Sequence, residues 1–166
     1  QPPSLTILYG REIPPFGGDT LWSSQYAAFD ALSPRMQEMM CGLSAVQTGW
    51  PHGTKGPGPN AAVSRSVVMT RNDPTADREV IHPVVRVHPE TGRRALFVNE
   101  HFTRRIVELS DGESAALLSL LTRWVQQPRF TVRYHWRAGT VAMWDNRCTQ
   151  HHVLNDFEGE RVIQRV

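Results

Sequence analysis

Apolar and polar residues alternate along Ser4-Leu5-Thr6-Ile7-Leu8-Tyr9, a two-residue period that predicts a short strand. Pro14-Pro15-Phe16-Gly17-Gly18-Asp19-Thr20 breaks the pattern and reads as a loop, and Leu21 and Trp22 resume it as a second short strand. Residues 23–31 read as a helix. Ser33 can cap a second helix with Pro34 in its first turn; Met36, Met39, Met40 and Leu43 make one face, expected to pack into the core. Periodicity is lost over residues 48–77, where Pro51-His52-Gly53-Thr54-Lys55-Gly56-Pro57-Gly58-Pro59 is dense in breakers. A connection this long is expected to be a mobile flap or a plain surface insertion. Residues 82–89 read as one strand, 90–93 as a turn and 95–98 as a strand returning antiparallel. Ser110-Asp111-Gly112-Glu113 has the form of a capping box. The helix it opens should run to about residue 127, where Pro128 stops it, and bury Leu117, Leu118, Leu121, Trp124 and Val125. Alternation returns over 130–136, a turn falls at Arg137-Ala138-Gly139, and strands follow over 140–145 and 161–166. Short antiparallel strands with a few helices outside predict a mainly β fold, a sandwich or jelly-roll barrel with flanking helices. No internal repeat is visible.

Composition narrows the classes. At 166 residues the chain has the size of one domain, and a 40% hydrophobic content suits a globular core. The net charge is only +2, and Lys55 is the sole lysine, so the positive charge is almost entirely arginine. Arginine grips carboxylates and sulfonates with a fixed fork that lysine lacks, which points to small anionic ligands. The arginines are scattered among acids instead of forming a basic stripe, which argues against nucleic acid. Cys41 and Cys148 are not spaced as a zinc site and read as two free thiols in a reducing cytoplasm. No apolar run approaches the roughly 20 residues of a membrane span, and no signal peptide is recognisable. Gln1-Pro2-Pro3 at one end and a strand ending at Val166 at the other lead us to expect further residues on both sides.

Several side chains could carry chemistry. His52 falls in the breaker-rich loop, and His101 follows Asn99-Glu100 in another. His82 and His88 would share a strand face roughly 20 Å apart, too far to share a metal. His135 reads as core or surface. His151 and His152 are adjacent, so in extended chain only one can face a given site. Arg161 and Arg165 stand four apart and would project from one face roughly 13 Å apart, with Ile163 between them. That face is either solvated or turned into the barrel; in the second case two desolvated guanidinium groups need anions. There is no Gly-x-Ser-x-Gly elbow, and Gly53, Gly56 and Gly58 are interleaved with prolines that remove the donors a phosphate loop needs.

Four stretches together resemble the taurine and alkylsulfate dioxygenase family of Fe(II)- and 2-oxoglutarate-dependent oxygenases. They are Pro14-Pro15-Phe16-Gly17-Gly18-Asp19-Thr20-Leu21-Trp22, His82-Pro83-Val84-Val85-Arg86-Val87-His88-Pro89-Glu90-Thr91-Gly92, Val98-Asn99-Glu100-His101-Phe102-Thr103 and Trp144-Asp145-Asn146-Arg147-Cys148-Thr149-Gln150-His151. They occur in the family's order and span nearly the whole chain. The resemblance implies a double-stranded β-helix, or jelly roll, closed around an iron held by a His-x-Asp pair and a distant histidine. It matches His151 to the distant histidine, Thr20 and Arg161 to the groups that hold the far carboxylate of 2-oxoglutarate, Arg165 to the arginine that grips a sulfonate or sulfate, and Phe102 to a pocket aromatic. The implied reaction couples oxidative decarboxylation of 2-oxoglutarate, giving succinate and CO2, to hydroxylation by O2 of the carbon next to the sulfur group. The product collapses to an aldehyde, releasing sulfite or sulfate. The family often forms dimers or tetramers.

The chain also departs from the family. No His-x-Asp occurs in residues 1–166, and the segment between His151 and Arg161 is one residue shorter than in the best-known members. The expectation is therefore a single jelly-roll domain over 1–166 whose other iron ligands lie upstream of Gln1. Two alternatives stay open: the same chemistry on an aryloxyacetate or another carboxylate, and a jelly-roll binding module that has lost its metal.

Overall fold

The computed structural model describes residues 3–49 and 74–165, so most of the expected flap, with His52 and Lys55, lies outside the described residues. Two three-stranded antiparallel sheets organise the chain. One has the order β11 (Val162–Arg165), β1 (Leu5–Glu12), β9 (Val141–Asp145); the other has β10 (Thr149–Val153), β2 (Thr20–Ser24), β8 (Thr131–Tyr134). The chain passes from one sheet to the other between β1 and β2, and again at each step from β8 to β11. That winding is a jelly roll, mainly β with flanking helices, as the alternation and the resemblance predict.

Pairing register shows which side chains face inward. Opposed residues of an antiparallel pair share a face. On the first sheet Thr6 opposes Trp144, and Leu8 lies between Ala142 and Arg165. On the second, Trp22 lies between His151 and Val132, and Thr20 between Val153 and Tyr134. The Trp22 and Trp144 rings meet edge to face with centroids 5.4 Å apart, which identifies these two faces as the inside of the roll.

The main apolar core lies elsewhere, on the outer side of the β10-β2-β8 sheet. Three helices pack there: α1 (Gln25–Asp30), α2 (Pro34–Cys41) and α3 (Asp111–Val125). Each begins at a serine. Ser24 and Ser33 accept from the backbone N–H groups of Ala27 and Met36, and the Glu113 carboxylate accepts both the backbone N–H and the hydroxyl of Ser110. Phe29, Met40, Leu121 and Val125 meet Leu96, Val98 and Ile106 in one buried cluster. A third sheet, β4 (Val80–Pro83), β3 (Ser44–Gln47), β7 (Thr103–Ile106), and the hairpin of β5 (Val85–Val87) with β6 (Arg94–Leu96) complete this layer.

Three expectations change. The single strand over 82–89 is two strands in different sheets, broken at Val84, which is fully buried and donates its N–H to Leu43 O. His82 and His88 therefore occupy no common strand face. Thr20 opens β2 instead of ending a loop. Met39 is 45% exposed and leaves the core face that Met40 keeps. Both cysteines are free. No helix among the described residues is long and apolar enough to cross a membrane.

Neighbours on α3 test where the core lies. Leu121 is fully buried and Leu120 is 45% exposed. Leu121→Ala should cost about 2–5 kcal/mol in urea unfolding, and Leu120→Ala within about 0.5 kcal/mol of nothing. Equal costs would place the core elsewhere.

Candidate functional site

His151 stands on the inward face of β10, its ring 4.8 Å from that of Trp144 and cross-strand from Trp22. The side chain is open to solvent on one side, yet the walls around it still desolvate it. Burial, then the positive charge of Arg165 and then His152, hold its pKa below the ordinary imidazole value of 6.5. A neutral, reachable imidazole is the form that binds a metal. His152 points to the opposite side of the strand.

Arg165 and Arg161 approach the interior from β11 and the residues just before it. The pairing of Arg165 with Leu8 turns it to the inside, close enough to His151 to depress its pKa. It makes no hydrogen bond or ion pair with the described residues. Arg161 is half-buried, donates Nε to Gly18 O at 3.0 Å and lies 5.8 Å from the Phe157 ring centroid. That single hydrogen bond leaves its two terminal nitrogens without a described protein partner. Burial lowers its pKa, with Asp19 opposing, but an arginine remains charged.

The loop before β2 makes this approach possible. Gly18 has φ +68°, and a Cβ there would fall 2.9 Å from Arg161 Cδ, so only glycine fits. Asp156 Oδ1 accepts from Gly18 N at 2.9 Å and fastens the loop to the segment before β11. Asp19 and Thr20 then face opposite ways. Asp19, 5% exposed, accepts from Arg133 and from His135 Nδ1 on the outside. Burial opposes its ionisation, but those two hydrogen bonds prevail and hold its pKa below 3.8. Thr20, 1% exposed, faces inward, where its oxygen accepts from Trp136 Nε1 at 2.9 Å and its own proton stays free to donate.

A second network lies at the turn between β9 and β10. Asp145 accepts from Arg147 and, at 3.0 Å, from His88 Nε2; Arg147 also forks onto Glu90. The Arg147 hydrogen bonds come first in pulling the Asp145 pKa far below the carboxylate range, burial opposes, and His88 adds to the pull. His88, Asp145 and Cys148 bring potential ligand atoms within 4.8 Å of one another. They are nonetheless spoken for: His88 Nδ1 faces the N–H groups of Glu90 and Thr91, which leaves the ring proton on Nε2 for Asp145. The cluster ties the β9–β10 turn to the β5–β6 hairpin instead of offering a cation an open site.

Thus Arg165, His151 and Trp144 are gathered together, while Arg161 reaches the Gly18 carbonyl and Thr20, two residues further on, bonds Trp136. Phe102 lies one loop away; its N–H is held by Asn99 Oδ1 at 2.7 Å, and its link to β10 runs through Gln150, which donates to Val98 O at 2.6 Å. Sequence reasoning left the roles of Trp22, Asp19, Asp145 and His88 unread. Trp22 and Trp144 also line, with Val132, Tyr134 and Thr149, a crevice of about 540 Å³.

Fold and interior define the class: a jelly-roll protein with two arginines, Arg161 and Arg165, that form no ion pair with the described residues. Residues 1–166 match the family described as taurine catabolism dioxygenase TauD, TfdA family, and the chain belongs to it. It is 36% identical over 166 residues to an alkylsulfatase of Acinetobacter baylyi, covering 99% of this chain and 51% of that protein. It is 37% identical over 159 residues to an alpha-ketoglutarate-dependent sulfonate dioxygenase of Saccharomyces cerevisiae, covering 95% of this chain and 36% of the relative. A crystal structure of a taurine dioxygenase from Burkholderia xenovorans superposes with a TM-score of 0.79 at 37% identity, over 99% of this chain and 51% of the other. The chain spans about half the length of the alkylsulfatase and of that crystallised dioxygenase, and about a third of the yeast enzyme.

The depressed carboxylates set an acid limit. Asp145 and Asp19 both have folded pKa values below 3.8, so their contribution is present above that pH and is lost as pH falls through it toward the folded values. Urea midpoints should fall steeply between about pH 5 and pH 2. Asp145→Asn should lower the midpoint at neutral pH and flatten this decline; an unchanged slope would remove Asp145 as a source.

Proposed function

We propose that this chain is part of an Fe(II)- and 2-oxoglutarate-dependent dioxygenase that hydroxylates a small sulfonate or alkyl sulfate next to its sulfur group, releasing sulfite or sulfate, an aldehyde, succinate and CO2. The two inward arginines without acid partners carry this reading, because the reaction presents two separate anions, the far carboxylate of 2-oxoglutarate and the sulfur oxyanion. The names of its relatives support the substrate class.

The donor set suits the groups this activity needs. Trp22 Nε1 is buried with no hydrogen-bond partner among the described residues, a donor left for an acceptor brought by a ligand. His151 provides one neutral metal ligand, and Thr20 and Arg161 suit a carboxylate. The other two iron ligands have no His-x-Asp to supply them within 1–166, and we place them upstream of Gln1. β10 and β11 each have one edge unpaired among the described residues, so a strand could lie directly beside His151.

When bound, iron and 2-oxoglutarate would supply activation of O2 and the oxidising equivalent. This chain's residues position and neutralise. Arg161 and the Thr20 hydroxyl fix the far carboxylate, Arg165 fixes the sulfonate or sulfate, and Phe102 packs on the substrate. Trp144 restrains the His151 ring, and the tryptophan wall keeps water away from the reacting carbon. The two free thiols suit a reducing cytoplasm.

Succinate release by the full-length enzyme, screened across taurine, alkyl sulfates and aryloxyacetates, tests the substrate class; turnover of aryloxyacetates alone would sink the sulfur reading. Arg165→Ala should raise the KM of the sulfur substrate at least about tenfold and Arg161→Ala that of 2-oxoglutarate, as loss of a charge-assisted hydrogen bond of roughly 1.5–3 kcal/mol requires. Equal effects of both substitutions on both ligands would contradict the separate roles.

A further inference from the structure

Gln150, half-buried next to His151 but facing the other side of β10, begins a chain of hydrogen bonds that runs into the buried interior. Its Nε2 donates to Gln25 Oε1 at 3.0 Å and to Val98 O at 2.6 Å. Gln25 Nε2 donates in turn to Ser23 Oγ at 3.2 Å and Ser23 O at 3.3 Å, and Ser23 Oγ donates to Val125 O at 2.6 Å, in the last turn of α3. Gln25 and Ser23 are buried, as is Val98. Every donor points one way, from β10 toward the end of α3, so neither amide can flip without setting acceptor against acceptor. In a desolvated setting such a chain admits one arrangement, because a broken link leaves buried polar groups without partners.

Val98 immediately precedes the loop that carries Phe102. Within that loop Asn99 Oδ1 accepts from Phe102 N, and Asn99 N donates to Thr103 Oγ1 at 3.0 Å. One side chain on the histidine strand therefore holds the base of a second, compact element. We infer that Gln150, supported by Gln25, is a positioning residue that fixes the Phe102 loop relative to His151, so that the metal ligand and the substrate-facing aromatic keep a set distance. This rests on the roles proposed for His151 and Phe102. Gln150 touches neither substrate nor metal; it acts through Val98.

The test uses full-length enzyme and Gln150→Ala, with Gln150→Met as a volume-conserving second variant should the alanine form fail to fold. Leu121→Ala is the control for lost stability alone. In hydrogen exchange, residues 98–103 should exchange at least about tenfold faster in the Gln150 variants, and not in Leu121→Ala relative to the rest of the protein. The KM of the sulfur substrate should rise about tenfold while that of 2-oxoglutarate stays within about twofold, and succinate should exceed hydroxylated product. Unchanged exchange in 98–103, or a succinate-to-product ratio shifted equally by Leu121→Ala, would overturn the positioning role. Absence of succinate release from the unmodified enzyme would instead defeat the proposed activity, and the exchange measurement would still decide the role of Gln150.

Discussion

The site depends on one alternation, that of Asp19 and Thr20 at the start of β2. Neighbouring residues of a strand face opposite ways, so an acid and a hydroxyl one residue apart are delivered to opposite sides of the sheet. The Asp19 carboxylate is consumed outside by Arg133 and His135, and Thr20 is left inside with Trp136. A slip of one residue would turn the acid inward, where it would neutralise Arg161 and compete with any incoming carboxylate. The surrounding features hold that register. Gly18 admits Arg161 where any side chain would collide, and Asp156 anchors the loop through Gly18 N. Desolvation of Asp19 would favour the neutral acid, yet the hydrogen bonds from Arg133 and His135 outweigh it and hold the carboxyl in its ionised form.

Stability and chemistry are housed apart. The buried aliphatic cluster lies between the helices and the outer side of one sheet, and it draws nothing from β1, β9, β10 or β11. The interior of the roll is walled by Trp22, Tyr134, Trp136 and Trp144, whose rings meet at 5.4–6.4 Å. Rigid aromatic walls suit an interior that must stay open, since they shape a cavity with few rotatable bonds and leave indole N–H groups to bind. Two of those N–H groups are taken, by Thr20 and by Asn146, and that of Trp22 is not.

Much of this was legible where a local rule governs. Serine caps, the Glu113 closure and the stop at Pro128 follow from chemistry within four residues. The short strands β3 and β7 were not legible. Ser44-Ala45-Val46-Gln47 and Thr103-Arg104-Arg105-Ile106 are too brief to show a period, and they exist because they pair with distant strands. His82 and His88 misled for the reverse reason. Their spacing is perfectly strand-like, but burial of Val84 breaks the run in the middle. The Asp145 network joins residues 57 positions apart in sequence, and Gln150 reaches Val98 across 52; no pattern along the chain encodes either.

These long-range ties explain how the lone His151 is held in place. β10 has one unpaired edge among the described residues, and edge strands fray and slip more readily than central ones. His151 sits on that strand and gains no restraint from a second neighbour. Three side-chain devices compensate from different directions. Trp144 packs on the ring, Asp145 pins the preceding turn through Arg147 and His88, and Gln150 secures the back of the strand to Val98. None of them uses the His151 lone pairs. The imidazole is therefore oriented by its surroundings while its ring nitrogens are left unused by them, the preorganisation that the proposed metal role of His151 calls for.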